Sequence, residues 1–279
     1  MVPPVASRAR LSDKAALPCS LSESRRQMPA VPAWPPRSAP RLFVGDLLSE
    51  GAQIVIEGSQ AHYLGKVMRV APGDGVIACD DRTGEWACEV LSAGKRDVIL
   101  AVRRQLRPRE DVPDFVLCAA LLKKPNFDLV LEKATELGVA AIRPLVTRRC
   151  VADKLNPERA LSIVSEAAEQ CARTALPRIE PVAKLEALLR DWPQERTLFF
   201  ADEQGGEPAV AAFAANPGPA ALLVGPEGGF DEEERALVRA HPSARAITLG
   251  PRILRAETAC ISAIGVWMAT TGDWSERAQ

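Results

Sequence analysis

Two segments near the C-terminus constrain the fold of this chain more than any other feature. In residues 222–230 and 247–259, an apolar run leads into a Gly-Pro pair that a charged residue follows. Proline cannot donate to a strand ladder and glycine permits a sharp turn, so each run predicts a buried strand that ends abruptly in a loop. Loops at the carboxyl ends of strands in an α/β sheet bind small ligands. Gly225 and Gly250 are 25 residues apart, so the two loops can face one pocket.

The region beyond Pro108 alternates strand and helix patterns. Such alternation implies a mostly parallel sheet that helices cover on both faces. Asp231 is the expected N-cap of the helix that follows the first Gly-Pro loop. The predicted strands besides the two Gly-Pro runs are 115–121, 142–146 and 197–201, and the predicted helices are 126–137, 157–175, 184–191, 231–240 and 257–270.

The region from Arg41 to about Leu106 reads differently, because short β-type segments alternate there with turn signals. Five strands at roughly even spacing suggest a small β-barrel; they are predicted at 41–44, 53–56, 75–80, 85–90 and 97–102. Residues 59–70 predict a short helix that presents Lys66 and Arg69 on one face. That face is either solvated or contacts phosphates.

Composition excludes several classes of function. The net charge is −1, so any nucleic-acid binding must come from local arginine patches rather than a global basic field. The seven cysteines are scattered without a C-x-x-C pair, which favours reduced thiols in the cytoplasm and argues against zinc. With only His62 and His241 present, a His-rich metal centre is excluded. No apolar stretch approaches the ~20 residues of a membrane span.

Residues 1–39 are rich in Pro, Ser, Ala and Arg and show neither strand nor helix periodicity. This composition predicts a disordered N-terminal extension.

The loop at 225–234 has the shape of a phosphate-binding loop but lacks the glycine pattern of one. The four carboxylates at 231–234 would also repel phosphate at a helix N-terminus. A ligand with an adenosine-like ring and a positive centre fits better, since glycines let the main chain approach it. Arg255 and Glu257 are either a surface ion-pair partner and a first-turn carboxylate or part of a site. The helix face that bears Glu169 and Arg173 is either solvated or functional.

These strings carry a family resemblance. Residues 223–230 and 249–259 resemble the two cofactor-loop motifs of the RsmE family, within the knotted SPOUT class of S-adenosylmethionine-dependent RNA methyltransferases. Further family signatures are similar to residues 166–173, with their Glu-Gln-Cys-x-Arg core, and to 133–139, 41–44 and 62–69. The resemblance covers the chain from about residue 40 to the end, in the family's order.

The resemblance implies an α/β fold with two domains. A PUA-like β-barrel that binds RNA is expected over residues 40–107, and a SPOUT methyltransferase domain with a deep trefoil knot over 113–279. The implied reaction is S-adenosylmethionine-dependent methylation of N3 of a uridine in the decoding region of 16S ribosomal RNA, in the assembled small subunit. A cytoplasmic homodimer without metal or membrane attachment is expected.

The resemblance also implies roles for individual residues. Arg173 and Arg255 would stabilise the developing uridine imidate, while Glu257 or Glu169 would accept the N3 proton. Phosphate contacts, which position RNA without specifying sequence, would come from Lys66, Arg69, Lys123 and Lys124. The implied cofactor-binding positions are Leu223, Gly225, Glu227, Gly228, Leu249, Gly250, Ile253, Leu254 and Ala259.

Two rival functions stay open at this point. One is a SPOUT methyltransferase that acts on transfer RNA or on another ribosomal nucleotide. The other is a non-catalytic ribosome-assembly factor that binds RNA only. The intact cofactor loops favour an enzyme, since a pure binder would not require them.

Overall fold

The computed structural model describes residues 34–36 and 38–275. Most of the extension predicted over 1–39 therefore lies outside the described residues. No described helix combines the length and apolar character needed to span a membrane.

The first sheet has five strands in the order β1-β3-β4-β5-β2. Its strands are β1 (Arg41–Phe43), β2 (Gln53–Glu57), β3 (Gly75–Cys79), β4 (Gly84–Ala93) and β5 (Asp97–Pro108). All pairs are antiparallel except β1 with β3. The register shifts between β4 and β5 at three places, and such bulges bend and twist a sheet. The five predicted strands are confirmed within a few residues, and the sheet has β1 and β2 at its edges.

The helix predicted at 59–70 is shorter and less regular than expected. It consists of α1 (Gly58–His62) followed by a π-helical turn, Tyr63–Val67. Ala61 and Leu64 pack into the core of the β-domain. Arg69 then takes a left-handed φ of +55°, which ends the helical path before Val70.

The second sheet is parallel throughout, as the alternation predicted. Its order is β11-β13-β10-β12-β6-β7-β8, and β9 also pairs with β7. Its strands are β6 (Phe115–Ala120), β7 (Ala141–Val146), β8 (Arg178–Ile179), β9 (Ala183–Lys184), β10 (Thr197–Ala201), β11 (Glu207–Pro208), β12 (Ala220–Val224) and β13 (Ala244–Thr248). The two Gly-Pro runs are β12 and β13, with β10 between them.

Helices cover both faces of this sheet. They are α2 (Lys124–Glu136), α3 (Pro157–Cys171), α4 (Leu185–Arg190), α5 (Ala209–Ala215), α6 (Glu232–Ala240) and α7 (Ala256–Thr270), with a short 3-10 turn at Asp273–Ser275. On one face Leu222 packs in a core with residues of α2, α3, α5 and α7. On the other, Leu223 packs with residues of α4 and α6.

The helix predicted at 157–175 ends four residues early. Ala172 takes a left-handed φ of +61°, which stops α3 at Cys171. The next residues leave the helix and contact the β-domain. Helix α5 and the short strands β8, β9 and β11 were not predicted.

Candidate active site

A cavity of about 650 Å³ opens at the carboxyl ends of β10, β12 and β13, beside the start of α2. Both Gly-Pro loops contribute to its wall, as the strand-end pattern predicted. Because parallel strands present their carboxyl ends at one edge of the sheet, the two loops meet there although β10 separates their strands. The lining comprises Lys123, Asn126, residues 201–203, 224–229 and 247–257, and Ala259.

The first loop requires glycine for reasons of space. A Cβ on Gly225 would lie 2.8 Å from a ring carbon of Phe230. Phe230 is itself buried and meets Phe200 edge-on, with ring centroids 5.2 Å apart. Gly229 adds a left-handed φ of +67°. The loop thus folds back onto the sheet through a contact that no larger residue permits.

Two side-chain contacts fix this loop to the surrounding protein. Glu227 Oε1 accepts from the backbone N–H of Lys123 at 3.0 Å and from Asn126 Nδ2 at 3.4 Å. Helix α2 has no cap from its own N-cap residue, so Glu227 supplies an acceptor there from a distant part of the chain. On the other side, an Arg149 N–H donates to the carbonyl oxygen of Gly228 at 3.1 Å.

The acidic start of α6 is engaged within the protein. Asp231 and Glu234 form a capping box, in which Asp231 accepts from the Glu234 N–H at 2.7 Å. This bond lowers the pKa of Asp231, and a hydrogen bond from Arg148 lowers it further. The backbone N–H of Arg148 donates to Glu234 at 2.8 Å. These carboxylates therefore serve the helix start and the loop after β7.

The loop after β10 contributes two carboxylates that sequence reasoning missed. The Asp202 side chain is fully buried and pairs with Arg235 and Arg239, while Glu203 pairs with Arg235 at 2.5 Å. Both line the cavity. An Asp-Glu pair directly after the predicted strand 197–201 was the available signal, since parallel strands end at a common edge.

The second loop presents groups without partners. Arg252 and Arg255 form no hydrogen bond or ion pair through their side chains with any described residue. Glu257, in the first turn of α7, has one buried carboxylate oxygen, Oε2, that lacks a hydrogen-bond partner. Arg255 and Glu257 both line the cavity. This wall thus combines unpaired cations with an acceptor whose hydrogen-bonding capacity is unused.

The four residues predicted to be catalytic fall into two groups. Arg255 and Glu257 lie at the cavity, whereas Arg173 and Glu169 are absent from its lining. Arg173 is 5% exposed and donates to the carbonyl oxygens of Thr135 and Val139; burial lowers its pKa. Glu169 accepts from the backbone N–H of Phe43 at 2.8 Å, and burial raises its pKa.

Of the nine predicted cofactor-binding positions, Leu223 alone does not line the cavity. Its side chain is fully buried among Cys118, Phe200 and Phe230 on the opposite face of the sheet. The eight that line it are Gly225, Glu227, Gly228, Leu249, Gly250, Ile253, Leu254 and Ala259.

The four predicted RNA contacts are all exposed. Lys123 lines the cavity, and Lys124 starts α2. Lys66 and Arg69 instead lie in the β-domain, in and just after the π-helical turn. No group of three or more His, Cys, Asp or Glu side chains within 34–36 and 38–275 is placed to hold a metal ion.

Both the β-domain and the region beyond it match known protein families. An RNA methyltransferase domain model matches residues 109–268, and an RNA methyltransferase PUA domain model matches residues 56–103. The ribosomal RNA small subunit methyltransferase E of Rickettsia conorii is 30% identical over 229 residues, which cover 80% of this chain and 93% of the relative. Its Bacillus subtilis counterpart is 32% identical over 233 residues, which cover 78% and 90%.

A solved structure has the same architecture. The ribosomal RNA small subunit methyltransferase E of Neisseria gonorrhoeae, bound to S-adenosyl methionine, superposes with a TM-score of 0.77 at 26% identity. The match covers 85% of this chain and 99% of the other.

Proposed function

Because the chain belongs to the ribosomal RNA small subunit methyltransferase E family, we propose that it methylates N3 of one uridine in the decoding region of 16S ribosomal RNA. The protein is an S-adenosylmethionine-dependent methyltransferase of small-subunit ribosomal RNA. The atom, the base and its region are the proposal. The observation that carries it is the cavity wall where Arg255 and Glu257 stand together without partners.

The residues around the cavity fit S-adenosylmethionine. Its volume, about 650 Å³, falls within the roughly 300–1,000 Å³ that is usual for small-ligand sites. The glycines and prolines of both loops leave main-chain groups free to approach a purine edge closely. Leu249, Ile253 and Leu254 supply apolar surface for the ring and ribose. When bound, S-adenosylmethionine supplies a methyl group made electrophilic by its sulfonium.

Arg255 and Glu257 have the chemistry that methylation of uridine N3 needs. N3 is a weakly acidic imide, so its proton must leave before or while the nitrogen takes up the methyl group. We propose that the carboxylate of Glu257 accepts this proton, directly or through a water molecule. The guanidinium of Arg255 would stabilise the negative charge that develops on the ring. Holding the nitrogen in line with the methyl group supplies much of the acceleration.

RNA would reach the cavity along basic residues of both domains. Lys123 and Lys124 stand at the cavity and at the start of α2, where they would contact phosphates next to the target. Lys66 and Arg69 would hold a more distant part of the backbone. The uridine would be turned out of its stack into the cavity, as base-modifying enzymes require.

The proposal also includes the expected assembly and threading. We propose a cytoplasmic homodimer, with a β-domain over 40–107 and a methyltransferase domain over 113–279 whose C-terminal segment forms a trefoil knot. The 86% exposure of Ile253, an apolar residue of the cavity wall, supports a partner surface at the cavity. The approach of loops 225–230 and 249–255 from two non-adjacent strands supports the threading. Light scattering of the purified protein tests the dimer.

Labelled S-adenosylmethionine tests the reaction. The protein would be incubated with small subunits, bare ribosomal RNA and transfer RNA, and the label mapped by nuclease digestion and mass spectrometry. We expect N3-methyluridine at one position of the small subunit. Label on transfer RNA would overturn the substrate, and the absence of both label and cofactor binding would favour an assembly factor.

Two substitutions with matched controls test the roles in the cavity. Glu257→Gln and Arg255→Ala are expected to lower kcat by roughly 10²-fold or more. Glu186→Gln, which changes an exposed first-turn carboxylate of α4, and Arg245→Ala, at the opposite end of β13, are expected to change it little. Equal activity in all four variants would remove Glu257 and Arg255 from the mechanism.

A further inference from the structure

Segment 169–176, which comprises the last residues of α3 and those that follow it, contacts both domains. The Phe43 backbone N–H donates to Glu169 Oε1 at 2.8 Å, and Arg107 donates to the Ala172 carbonyl at 2.7 Å. The backbone N–H of Leu176 donates to Asp81 Oδ1 at 2.8 Å. Three strand or turn positions of the β-domain are thus bound by consecutive parts of one short segment.

An apolar contact lies under these hydrogen bonds. Phe43 and Cys79, at the ends of β1 and β3, form a small buried cluster with Ala168 of α3, and Leu176 packs against it. The junction between the domains is therefore dry at its centre. The hydrogen bond between Phe43 and Glu169 beside it is partly buried, and removing the acceptor would leave the Phe43 N–H without a partner.

The same segment also forms buried hydrogen bonds inside the methyltransferase domain. The buried guanidinium of Arg173 donates to the Thr135 and Val139 carbonyl oxygens at 2.8 and 2.7 Å. These carbonyls flank Gly138, where α2 has ended. Helix α2 is the helix whose first turn Glu227 caps beside the cavity. A rigid helix therefore connects Arg173 to the cavity wall.

The connecting residues between the two domains are tied to this segment as well. Thr174 and Ala175 donate their backbone N–H groups to Glu110 Oε1 at 2.6 and 3.0 Å. The Glu110 N–H in turn donates to Thr174 Oγ1 at 2.9 Å. The linker is thus held to segment 169–176 by reciprocal hydrogen bonds.

We propose that segment 169–176 fixes the orientation of the two domains, and that Glu169 and Arg173 are positioning residues which act on methyl transfer by placing the RNA. This inference rests on the proposed function, in which phosphates held at Lys66 and Arg69 and a uridine in the cavity belong to one RNA molecule. The angle between the domains then decides whether both contacts form together. An error of about 1 Å at the reacting atoms is enough to cost roughly 10²-fold in rate.

The pair Glu169→Ala and Glu169→Gln separates positioning from proton transfer. Glutamine keeps an oxygen that accepts from the Phe43 N–H, whereas alanine does not. We expect Glu169→Ala to raise KM for small subunits about tenfold, to speed amide hydrogen exchange at Phe43 and to leave the Kd of S-adenosylmethionine unchanged. Glu169→Gln is expected to restore all three readouts toward the wild type. Glu166→Ala, on the exposed side of the same helix, is the control.

The opposite pattern would overturn the inference. If Glu169 were a base, both variants would lose kcat equally, with normal exchange at Phe43 and normal KM. Arg107→Ala provides a second variant, since it removes the bond to Ala172 from the β-domain side; normal exchange at Phe43 and unchanged X-ray scattering would also contradict the proposal. Exchange and scattering need no substrate, so they test the junction even if the wild type fails to methylate small subunits.

Discussion

At the scale of single residues, the carboxylates of the cavity differ in their partners rather than in residue type. Four carboxylates line the cavity. Asp202 and Glu203 are paired with arginines of α6, and Glu227 caps α2. Glu257 alone among the four has a buried oxygen without a donor. Glu257 is therefore the lining carboxylate that the protein itself engages least, which is why we propose it as the proton acceptor.

Gly225 gives a prediction about space. Gly225→Ala would push Cβ to 2.8 Å from the Phe230 ring, and Phe230 has little room because it is buried. We expect a loss of about 1–3 kcal/mol in the free energy of unfolding and weaker S-adenosylmethionine binding. Denaturant unfolding and calorimetry measure the two effects. Gly45→Ala is the control, since no atom lies within 4 Å of its Cβ; equal effects at both sites would contradict the steric argument.

How far single site residues could be predicted depended on what fixes them. Gly225 and Gly250 could be predicted because an apolar run followed by Gly-Pro marks the end of a strand in the local sequence. Leu223 does not line the cavity, and alternation along the strand places its side chain on the face opposite Leu222; a backbone contact there stays a prediction. Arg173 was predicted on a helix face, but it follows the end of α3 at Cys171, and its neighbours are set by tertiary packing. Nothing local to it indicates that Thr135 and Val139 stand opposite.

At the scale of elements, periodicity predicted the two sheets and most helices. It failed where tertiary contacts decide. The end of α3 is set by the hydrogen bonds of Thr174 and Ala175 to Glu110, which a helix continuing to 175 would break. Helix α5 is short and rich in alanine, so no apolar stripe marked it. In the π-helical turn at 63–67, Leu64 packs in the β-domain core, a tertiary contact that local periodicity does not indicate.

Glu85 of β4 forms ion pairs with Arg41 of β1 and Arg107 of β5. These pairs predict that the stability of the protein depends on pH. Burial by itself would raise the pKa of Glu85, but hydrogen bonds from Arg107 and Arg41 hold it below its ordinary value of 4.5. A depressed carboxyl pKa stabilises the fold above the ordinary value, and this stabilisation is lost as the pH falls through the folded value. Glu85→Gln should therefore be less stable than the wild type at pH 7, by on the order of 1 kcal/mol.

The difference in free energy of unfolding between Glu85→Gln and the wild type should shrink as the pH falls below 4.5. Urea unfolding at several pH values measures it. Glu89 lies on the same strand as Glu85 and pairs with Arg103 of β5 at a more exposed position. Glu89→Gln should therefore differ little from the wild type in the free energy of unfolding at any pH. If the stability difference between Glu85→Gln and the wild type stayed constant at all pH values, the charge of Glu85 would not be its cause.

The start of α6 predicts a capping effect. Asp231→Ala removes the acceptor for the Glu234 N–H and should cost about 1 kcal/mol in the free energy of unfolding. Glu232 lies in the same turn but outside the capping box. Glu232→Ala should therefore lower the free energy of unfolding by only about 0.3 kcal/mol. Thermal unfolding of both variants makes the comparison; equal losses would point to charge alone.

At the scale of the whole molecule, segment 169–176 joins two sheets that have separate cores, and we expect the two domains to unfold together. Thr174 is buried and bonded to Glu110. Thr174→Val keeps its shape but leaves the Glu110 N–H without its acceptor, at a cost of about 1–3 kcal/mol. We expect the wild type to unfold in a single transition in calorimetry, and this transition to broaden or split in Thr174→Val.

A matched change elsewhere tells loss of coupling from loss of stability. Thr135→Val removes a buried hydroxyl that donates to Leu131 within α2, inside one domain. Thr135→Val should lower the midpoint temperature of unfolding, but the protein should still unfold in a single transition. A split transition in both variants, or in neither, would argue against a specific role of the junction.

The glycine and proline loops around the cavity have a consequence for how such proteins diverge. A ligand that is recognised mainly by main-chain groups asks little of the side chains, provided that a few glycines keep the loop path. Most surface and core positions are then free to drift without touching recognition. Relatives that share only about 30% of their residues with this chain can keep the same ligand through long evolutionary separation.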